Sequence, residues 1–388
     1  MNKALCYFVG LGLLVSCGGR QLIVDKKYED GVEVVLNHLE PYKLLKGSLT
    51  LRMEYEFSVD SERENVVPEG FIDLDEFDVD SSGNIYCFQT RESDINLVYK
   101  FDSNGRYVST FGKRGQGPDT IQNPVFLGIC MGDELWILDY ESKACVFDKN
   151  GKIIRQSPLT RKGVTGTLVD YPLSNGNYLR FRDYWDPESN HRFDVLLLCD
   201  SDFEKVTELG RCDYGRAARF AMGKLLGTPR VFIFRVSDGK VYAGDEGRGY
   251  EISVFNENGT LLRKVRKEYV PADAPREFLE NLILNMGRYK DKVILPDKMP
   301  PFHYFFLDDE GRLYVKTYEP GQKEGDYIHD IFTPEGVFIA RKSLPGHGAW
   351  MYPGRNLDTA RAKNGRLYCI NEKETGFKEL VVYKMIWD

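Results

Sequence analysis

The sequence predicts an all-β fold, a six-bladed β-propeller of four-stranded blades closed by an N-terminal strand that completes the last blade. Three observations predict it. Two short turn phrases recur along the chain. The segments around them alternate apolar and polar residues with the period of a half-buried strand. The chain also ends one strand short of a full repeat, and an unpartnered strand stands near its beginning.

The first phrase is a turn followed by a strand ending in an aromatic residue: Gly83-Asn-Ile-Tyr86, Gly239-Lys-Val-Tyr242, Gly311-Arg-Leu-Tyr314 and Gly365-Arg-Leu-Tyr368. Asp133-Glu-Leu-Trp136 and Gly176-Asn-Tyr-Leu179 are looser copies. The second phrase places an aromatic and a polar residue before a turn glycine: Phe101-Asp-Ser-Asn-Gly105, Phe147-Asp-Lys-Asn-Gly151, Phe255-Asn-Glu-Asn-Gly259 and Phe332-Thr-Pro-Glu-Gly336, with Cys199-Asp-Ser-Asp-Phe203 degenerate. Asn-Gly and Asp-Gly pairs supply the positive φ that tight hairpin turns require. Each unit therefore reads strand, turn, strand, loop, strand, turn, strand, which is one blade.

Residues 69–388 shared among six units give about 53 residues each, above the 40–50 of common propeller repeats. The excess falls in insertions. Residues 273–287 predict a helix, with Asp273 as cap, Pro275 near the first turn, and Phe278, Leu279, Leu282, Ile283 and Met286 on one face before Gly287. Residues 213–226 predict a second helix. The last unit stops after Leu380–Trp387, and the strand-like run Leu49–Ser58 has no hairpin partner nearby. Pairing the two closes the ring and removes exposed sheet edges.

The N-terminus reads as an address. Lys3 precedes an apolar run, Ala4–Val15, which suits a signal-peptide core and is too short to span a bilayer as a helix. Leu14-Val-Ser-Cys17 resembles the bacterial lipobox, in which cleavage before the cysteine leaves its thiol to carry lipid. The expected organisation is a signal peptide over 1–16, an anchor and N-terminal segment over 17–46, and the propeller over 47–388. Cys17 is the expected lipid attachment, so the expected location is the cell envelope. Gly18, in place of an aspartate after the cysteine, points to the outer membrane.

Composition narrows the function. The formal charge of −7 excludes the basic footprint of a nucleic-acid binder. Aromatic residues at 13% favour strands. Beyond Cys6 and Cys17, the six cysteines (Cys87, Cys130, Cys145, Cys199, Cys212 and Cys369) form no C-x-x-C pair, and most sit in apolar strand-like runs. They are expected to pack as buried thiols.

Phe77-Asp-Val-Asp-Ser-Ser-Gly-Asn-Ile-Tyr86 and Tyr99-Lys-Phe-Asp-Ser-Asn-Gly105 resemble NHL-type repeats. Phe111-Gly-Lys-Arg-Gly-Gln-Gly-Pro118 resembles their glycine-proline connector. With Val32-Glu-Val-Val-Leu-Asn37, Leu39-Glu-Pro41 and the lipobox, the chain resembles the six-bladed propeller lipoproteins of gut-type Gram-negative anaerobes. That resemblance implies a fold and an envelope location, and no activity.

No catalytic residues are predicted. Gly112–Gly117 is followed by Pro118, not by the Gly-Lys-Ser/Thr of a phosphate loop. His38, His191, His303, His329 and His347 are scattered and form no zinc motif. No cofactor or metal is expected. Acids such as Asp73, Asp75, Asp78, Asp80 and Asp245 lack the spacing of an EF-hand. No serine elbow occurs. The candidate ligand-binding residues are Arg180, Arg182, Tyr184 and Trp185, in a strand leading to the loop at 186–190, and His347, Trp350 and Tyr352. Exposed Tyr, Trp and Arg dominate binding hot spots. The expected role is a non-enzymatic binding or scaffold module, held to the membrane through its lipid, with a glycan, peptide or envelope protein as partner. The alternative is a metal-dependent propeller hydrolase or lyase with a cation in the channel.

Overall fold

A computed structural model describes residues 24–42, 49–62, 68, 70–72, 74–90, 95–140, 143–158, 168–186, 188, 191–216, 220–221, 224–226, 232–285, 287–323, 325–345 and 360–388. Six four-stranded antiparallel meanders follow one another as blades. Their first strands are Glu76–Val79, Pro124–Ile129, Leu168–Pro172, Phe232–Ser237, Tyr304–Leu307 and Ala360–Lys363. Neighbouring first strands touch around the ring axis, blade 1 against blades 2 and 6, and blade 5 against blades 4 and 6. The sixth blade is completed as the sequence predicts: Leu51–Asp60 pairs antiparallel with Lys378–Trp387, and Thr50 and Asp388 exchange backbone hydrogen bonds at 3.1 and 2.9 Å.

The recurring phrases are turns held by one side-chain oxygen. Asp80, Asp102, Asp148, Asp200, Asn256 and Asp308 each accept from the backbone N–H two and four residues on, at 2.8–3.0 Å. The residue three positions on takes positive φ, which is why glycine recurs there. Phe203 holds that position in blade 3 at φ 62° and stacks on Tyr178 at 4.5 Å. At Gly105, Gly151 and Gly336 there is a second reason. An added Cβ would lie 2.6, 2.3 and 2.5 Å from Phe57, Phe111 and Val265 of the preceding blade, so these turns are also inter-blade contacts.

Apolar seams join the blades. Blades 4, 5 and 6 share one continuous core that includes Val35, Ile252, Phe302, Phe305, Tyr314, Phe338 and Leu367. Blades 1 and 2 meet through Phe88, Leu97, Ile137 and Phe147, and blades 3 and 4 through Leu179, Phe181, Phe232 and Phe234. Between blades 2 and 3 the described core divides. Trp136, Leu138, Ala144 and Val146 form one small cluster, and Val195, Leu197 and Cys199 another.

Two features extend or correct the sequence reading. Asp25–Glu29 and Val32–Asn37 form a hairpin through Asp30-Gly31, and its second strand lies parallel to Leu261–Lys267, making blade 4 a six-stranded sheet. The outermost strand of blade 4 is basic, and the hairpin brings the acids to match. Arg266 pairs with Glu29 at 2.6 Å, Arg263 with Glu33 at 2.5 Å and Lys264 with Glu29 at 3.3 Å. Arg266 and its neighbouring lysines hold the Glu29 carboxyl at about 2. The correction concerns 213–226, which is not helical. Lys205–Arg216 is the last strand of blade 3, paired with His191–Cys199 through three register shifts as far as His191↔Arg216, and Phe220–Ala221 and Lys224–Leu226 are short strands. Its hairpin partner runs on past the usual blade length, and pairing with it overrides local helix propensity.

The helix of the 268–303 insertion is present, but it starts at Arg276 and ends at Asn285. Asp273 does not cap it. Asp273 is in an isolated bridge with Lys298 and takes its ammonium at 2.5 Å, while the Pro275 carbonyl accepts the helix's Leu279 N–H. Of the six cysteines, five are buried and Cys130 is partly so. Burial pushes the Cys145 thiol to about 11 and Cys369 to about 12.

Candidate functional site

The turn side of the ring is stitched to itself. Asn364 donates to the Ser81 carbonyl at 3.2 Å, Ser81 N–H to Asp133 at 2.8 Å, and Gly365 N–H to Asp309 at 3.3 Å. Ser174 and Asn175 of blade 3 bond to Glu257 of blade 4. The acids near the axis are engaged as well. Glu76 accepts the Leu127 N–H at 3.0 Å, Asp78 accepts the Ile129 N–H at 2.7 Å, and Arg361 pairs with Asp78 at 3.0 Å, so blades 6, 1 and 2 are linked through side chains. Among the described residues no group of three or more His, Cys, Asp or Glu side chains is disposed to hold a metal ion.

The most developed site is a cleft of about 210 Å³ between blades 4 and 5, under the start of the inserted segment. Its floor is a polar network centred on buried Asp330, Lys267 and Tyr250. Asp330 is 1% exposed and lies in the third strand of blade 5, Asp326–Phe332. One of its carboxylate oxygens accepts the Tyr250 hydroxyl at 2.9 Å and lies 3.3 Å from Lys267 Nζ; the other accepts Arg341 Nε at 3.0 Å. Arg341 reaches on to Glu319 at 2.6 Å. Lys267 Nζ sits 4.6 Å from the centre of the Phe338 ring and 5.4 Å from that of Tyr250. Burial, with the Asp330 charge added, pushes the Tyr250 phenol well above its ordinary range, so it stays a donor. A buried carboxylate between two cations and a phenol is stable because every charge has a partner, and removing one partner strands the others.

Around that floor stand Tyr269, Val270, Ala272, Pro300, Pro301 and Leu39. The Tyr269 ring lies 6.2 Å from that of Tyr250, giving a two-ring wall. Pockets that hold whole drug-sized ligands measure roughly 300–1,000 Å³. This one has room for a single sugar ring or one side chain. Aromatic walls over a fixed polar floor suit a ligand with an apolar face and hydroxyl edges.

A second concavity, about 380 Å³ and more open, lies on blade 3. Phe193, Val195 and Leu197 form its base, with Arg182, Asp186, Lys205, Glu208 and Arg211 around them. Arg211 grips Glu208 through two bonds of 2.9 Å and lies 4.8 Å from the centre of the Phe193 ring.

A third set of unusual groups is buried on the other face of blade 5. Lys316 is 2% exposed, lies opposite both Tyr304 and His329 in the sheet, and has its ammonium 4.0 Å from the centre of the Tyr327 ring. Burial pulls Lys316 down to about 7 and both His303 and His329 down to about 3. His329 Nδ1 is 3.0 Å from the Tyr327 carbonyl.

The predicted site residues are not all brought together. Arg180 is not at a surface: it is 6% exposed and forms a bidentate pair with Asp170 at 2.7 and 3.0 Å. It faces Asp170 directly across the hairpin, so inter-strand register consumes its charge. Phe181 packs on Phe232 and Phe234 of blade 4 at 5.5 and 6.1 Å. Arg182 lines the blade 3 concavity. The side chains of Tyr184 and Trp185, and all of Cys17, His347, Trp350 and Tyr352, lie outside the described residues.

The cleft residues were missed in the sequence although a signal existed. Asp330 and Lys316 each lie beside apolar residues within a strand, Asp330 before Ile331-Phe332 and Lys316 after Leu313-Tyr-Val315, and charged residues so placed are rarely buried without a partner. The histidines, read as scattered, divide by environment. His303 and His329 share the buried face of blade 5, while exposed His38 bonds Asp25 at 2.7 Å.

No family model matches the chain, and no curated protein matches it. Among solved structures it is similar to a protein of unknown function from Bacteroides caccae, with 11% identity and a TM-score of 0.36 over 70% of this chain and 81% of that one. It is also similar to the extracellular domain of a protein described as a hybrid two-component system from B. thetaiotaomicron, with 10% identity and a TM-score of 0.35. That match covers 80% of this chain and 39% of the other. The six-bladed arrangement rests on the strand pairing itself.

Proposed function

We propose that the chain is a cell-envelope lipoprotein, anchored in the outer membrane through Cys17, whose propeller is a non-enzymatic binding module. Its ligand site is the cleft between blades 4 and 5, and its ligand is a glycan unit presented at the envelope. The observation that carries this reading is the pairing of the Tyr250–Tyr269 wall with a polar floor already fixed by Asp330, Lys267 and Arg341. A preorganised floor of this kind binds without first paying to order its side chains. Arg182, Tyr184 and Trp185 on blade 3, and His347, Trp350 and Tyr352 in the connection between blades 5 and 6, are the second places for a ligand or an envelope protein partner.

The test is a melting-temperature screen of the soluble chain from residue 18 onward, against glycans and against divalent cations with a chelator control. A ligand that binds only the folded state raises the melting temperature. A glycan-specific rise supports the reading. A cation-specific rise reversed by the chelator overturns it in favour of a channel-metal hydrolase or lyase. No rise with any glycan also overturns the glycan assignment and directs the search to a protein partner. Loss of lipid labelling in a Cys17→Ser variant tests the anchor separately.

A further inference from the structure

The described chain begins beside the insertion that covers the cleft. Asp25 lies 2.7 Å from His38 Nε2, and His38 Nδ1 lies 3.4 Å from Glu268, the first residue of the 268–303 segment. Glu268 also donates its backbone N–H to the Asn37 carbonyl at 2.9 Å. Apolar side chains of Leu39 and of the insertion stand in water. Leu39 is 45% exposed, Val270 73% and Leu284 75%, and Tyr269, Ile294 and Leu295 are exposed as well. Blade 1 exposes Ile72, Ile95, Tyr107 and Val108, whereas among the described residues the outer strands of blades 2 and 3 each show one such residue, Ile154 and Val206. Apolar side chains concentrated in one inserted segment mark an interaction surface more often than scattered ones do.

We infer that this side of the ring, formed by the 268–303 insertion with Leu39, docks on the bilayer that holds the anchor. The inference rests on lipid attachment at Cys17. Asp25 is eight residues beyond Cys17, which spans at most about 28 Å at full extension. A folded body of this length has a radius of gyration of about 20 Å and is therefore about 50 Å across. Turning blade 1, on the far side of the ring, toward the bilayer would lift Asp25 out of reach of the anchor. The tether thus favours orientations with the outer edge of blade 4 near the lipid, where the exposed apolar side chains of the adjoining insertion leave water. Charges in the insertion are mixed and partly self-paired, Arg276 with Glu280 at 2.7 Å and Lys298 with Asp273 at 2.5 Å, so the contact is apolar and persists in high salt.

Amide hydrogen exchange tests this on the full lipidated chain in phosphatidylethanolamine/phosphatidylglycerol vesicles, compared with the soluble chain from residue 18. Exchange across 268–303 slows on the vesicles, the turns at 102–106 and 148–152 are unchanged, and the slowing is lost in a Val270→Asp/Leu284→Asp variant and retained at high salt. Equal exchange in the two states, or slowing confined to the turn side, overturns the inference. Mass analysis of Cys17 separates the two ideas. If the thiol carries no lipid, the anchor reading fails. The surface is then read on a chain tethered artificially at residue 17, where slowed exchange at 268–303 sustains it and unchanged exchange overturns it.

Discussion

Two seams of the ring are built on different principles. Between blades 4 and 5 an apolar core is continuous, a network of buried Asp330, Lys267 and Tyr250 with partly exposed Arg341 crosses the seam, and the Asp25–Asn37 hairpin covers its outer edge. Asn37 extends the crossing by donating to the Gly336 carbonyl at 3.0 Å and accepting from Phe338 N–H at 2.8 Å. Between blades 2 and 3 the described core breaks into two small clusters, and the contacts are lighter: Tyr171 hydroxyl to the Ile129 carbonyl at 3.2 Å, and Trp136 near Tyr178 at 6.0 Å. The first seam fixes its side chains through buried polar contacts, and the second, among the described residues, holds them by lighter ones. Precise recognition belongs to the first seam.

The largest expected effect is at that seam. Asp330→Ala leaves Lys267 buried without its carboxylate, while the more exposed Arg341 keeps Glu319, and should cost about 3–5 kcal/mol. Urea unfolding checks it, and a loss under about 1 kcal/mol would dissolve the contrast between the seams.

Acid should act strongly on the same blade. His303 and His329 fold with values near 3 against an ordinary 6.5, so the unfolded chain takes up protons below pH 6.5 that the folded chain refuses. Stability therefore falls as pH drops from about 6.5 toward 3. Lys316, near 7 against 10.5, acts by the same logic in a higher window, so stability rises as pH is raised from about 7 to 10.5. A His329→Phe variant should flatten the acid limb; an unchanged slope would show that this histidine is not held neutral.

Glycine turns sharpen the comparison at smaller scale. Gly336→Ala combines positive φ with a Cβ 2.5 Å from Val265 and should cost about 2–4 kcal/mol, the sum of a left-handed penalty and an overpacking one. Gly176→Ala in blade 3 meets no atom within 4 Å and should cost only the backbone share, about 1–2 kcal/mol. Equal losses would mean the turn of blade 5 is not an inter-blade contact. Smallest of all, Arg211→Ala on the blade 3 concavity should change stability by less than about 1 kcal/mol, since its pair with Glu208 is partly solvated.

What the sequence made legible was local. A turn needs an Asx oxygen and a positive-φ residue within five positions, so Asp102–Arg106 or Asn256–Thr260 can be recognised without knowing the fold. Ring closure was legible because a strand at each end lacked a neighbour. The cleft was not, because its parts come from far apart. Tyr250 meets Asp330 80 residues away, and Asn37 meets Gly336 299 residues away. Arg180 failed as a surface candidate for an intermediate reason: its partner Asp170 is only ten residues back, and becomes visible once the hairpin register is set. Of the Asp25–Asn37 hairpin only Val32–Asn37 enters the sequence reading, as part of the family resemblance; its match to the basic strand Leu261–Lys267 depends on a parallel pairing that no local pattern announces.

The most direct test of the central claim compares glycan affinity, by calorimetry, in two variants of the soluble chain. Ala272→Trp fills the cleft between blades 4 and 5, and Arg182→Ala strips the concavity on blade 3. The account predicts that binding is abolished by Ala272→Trp and retained in Arg182→Ala, with both variants melting as the parent does. Binding that survives the filled cleft and disappears with Arg182 would contradict it.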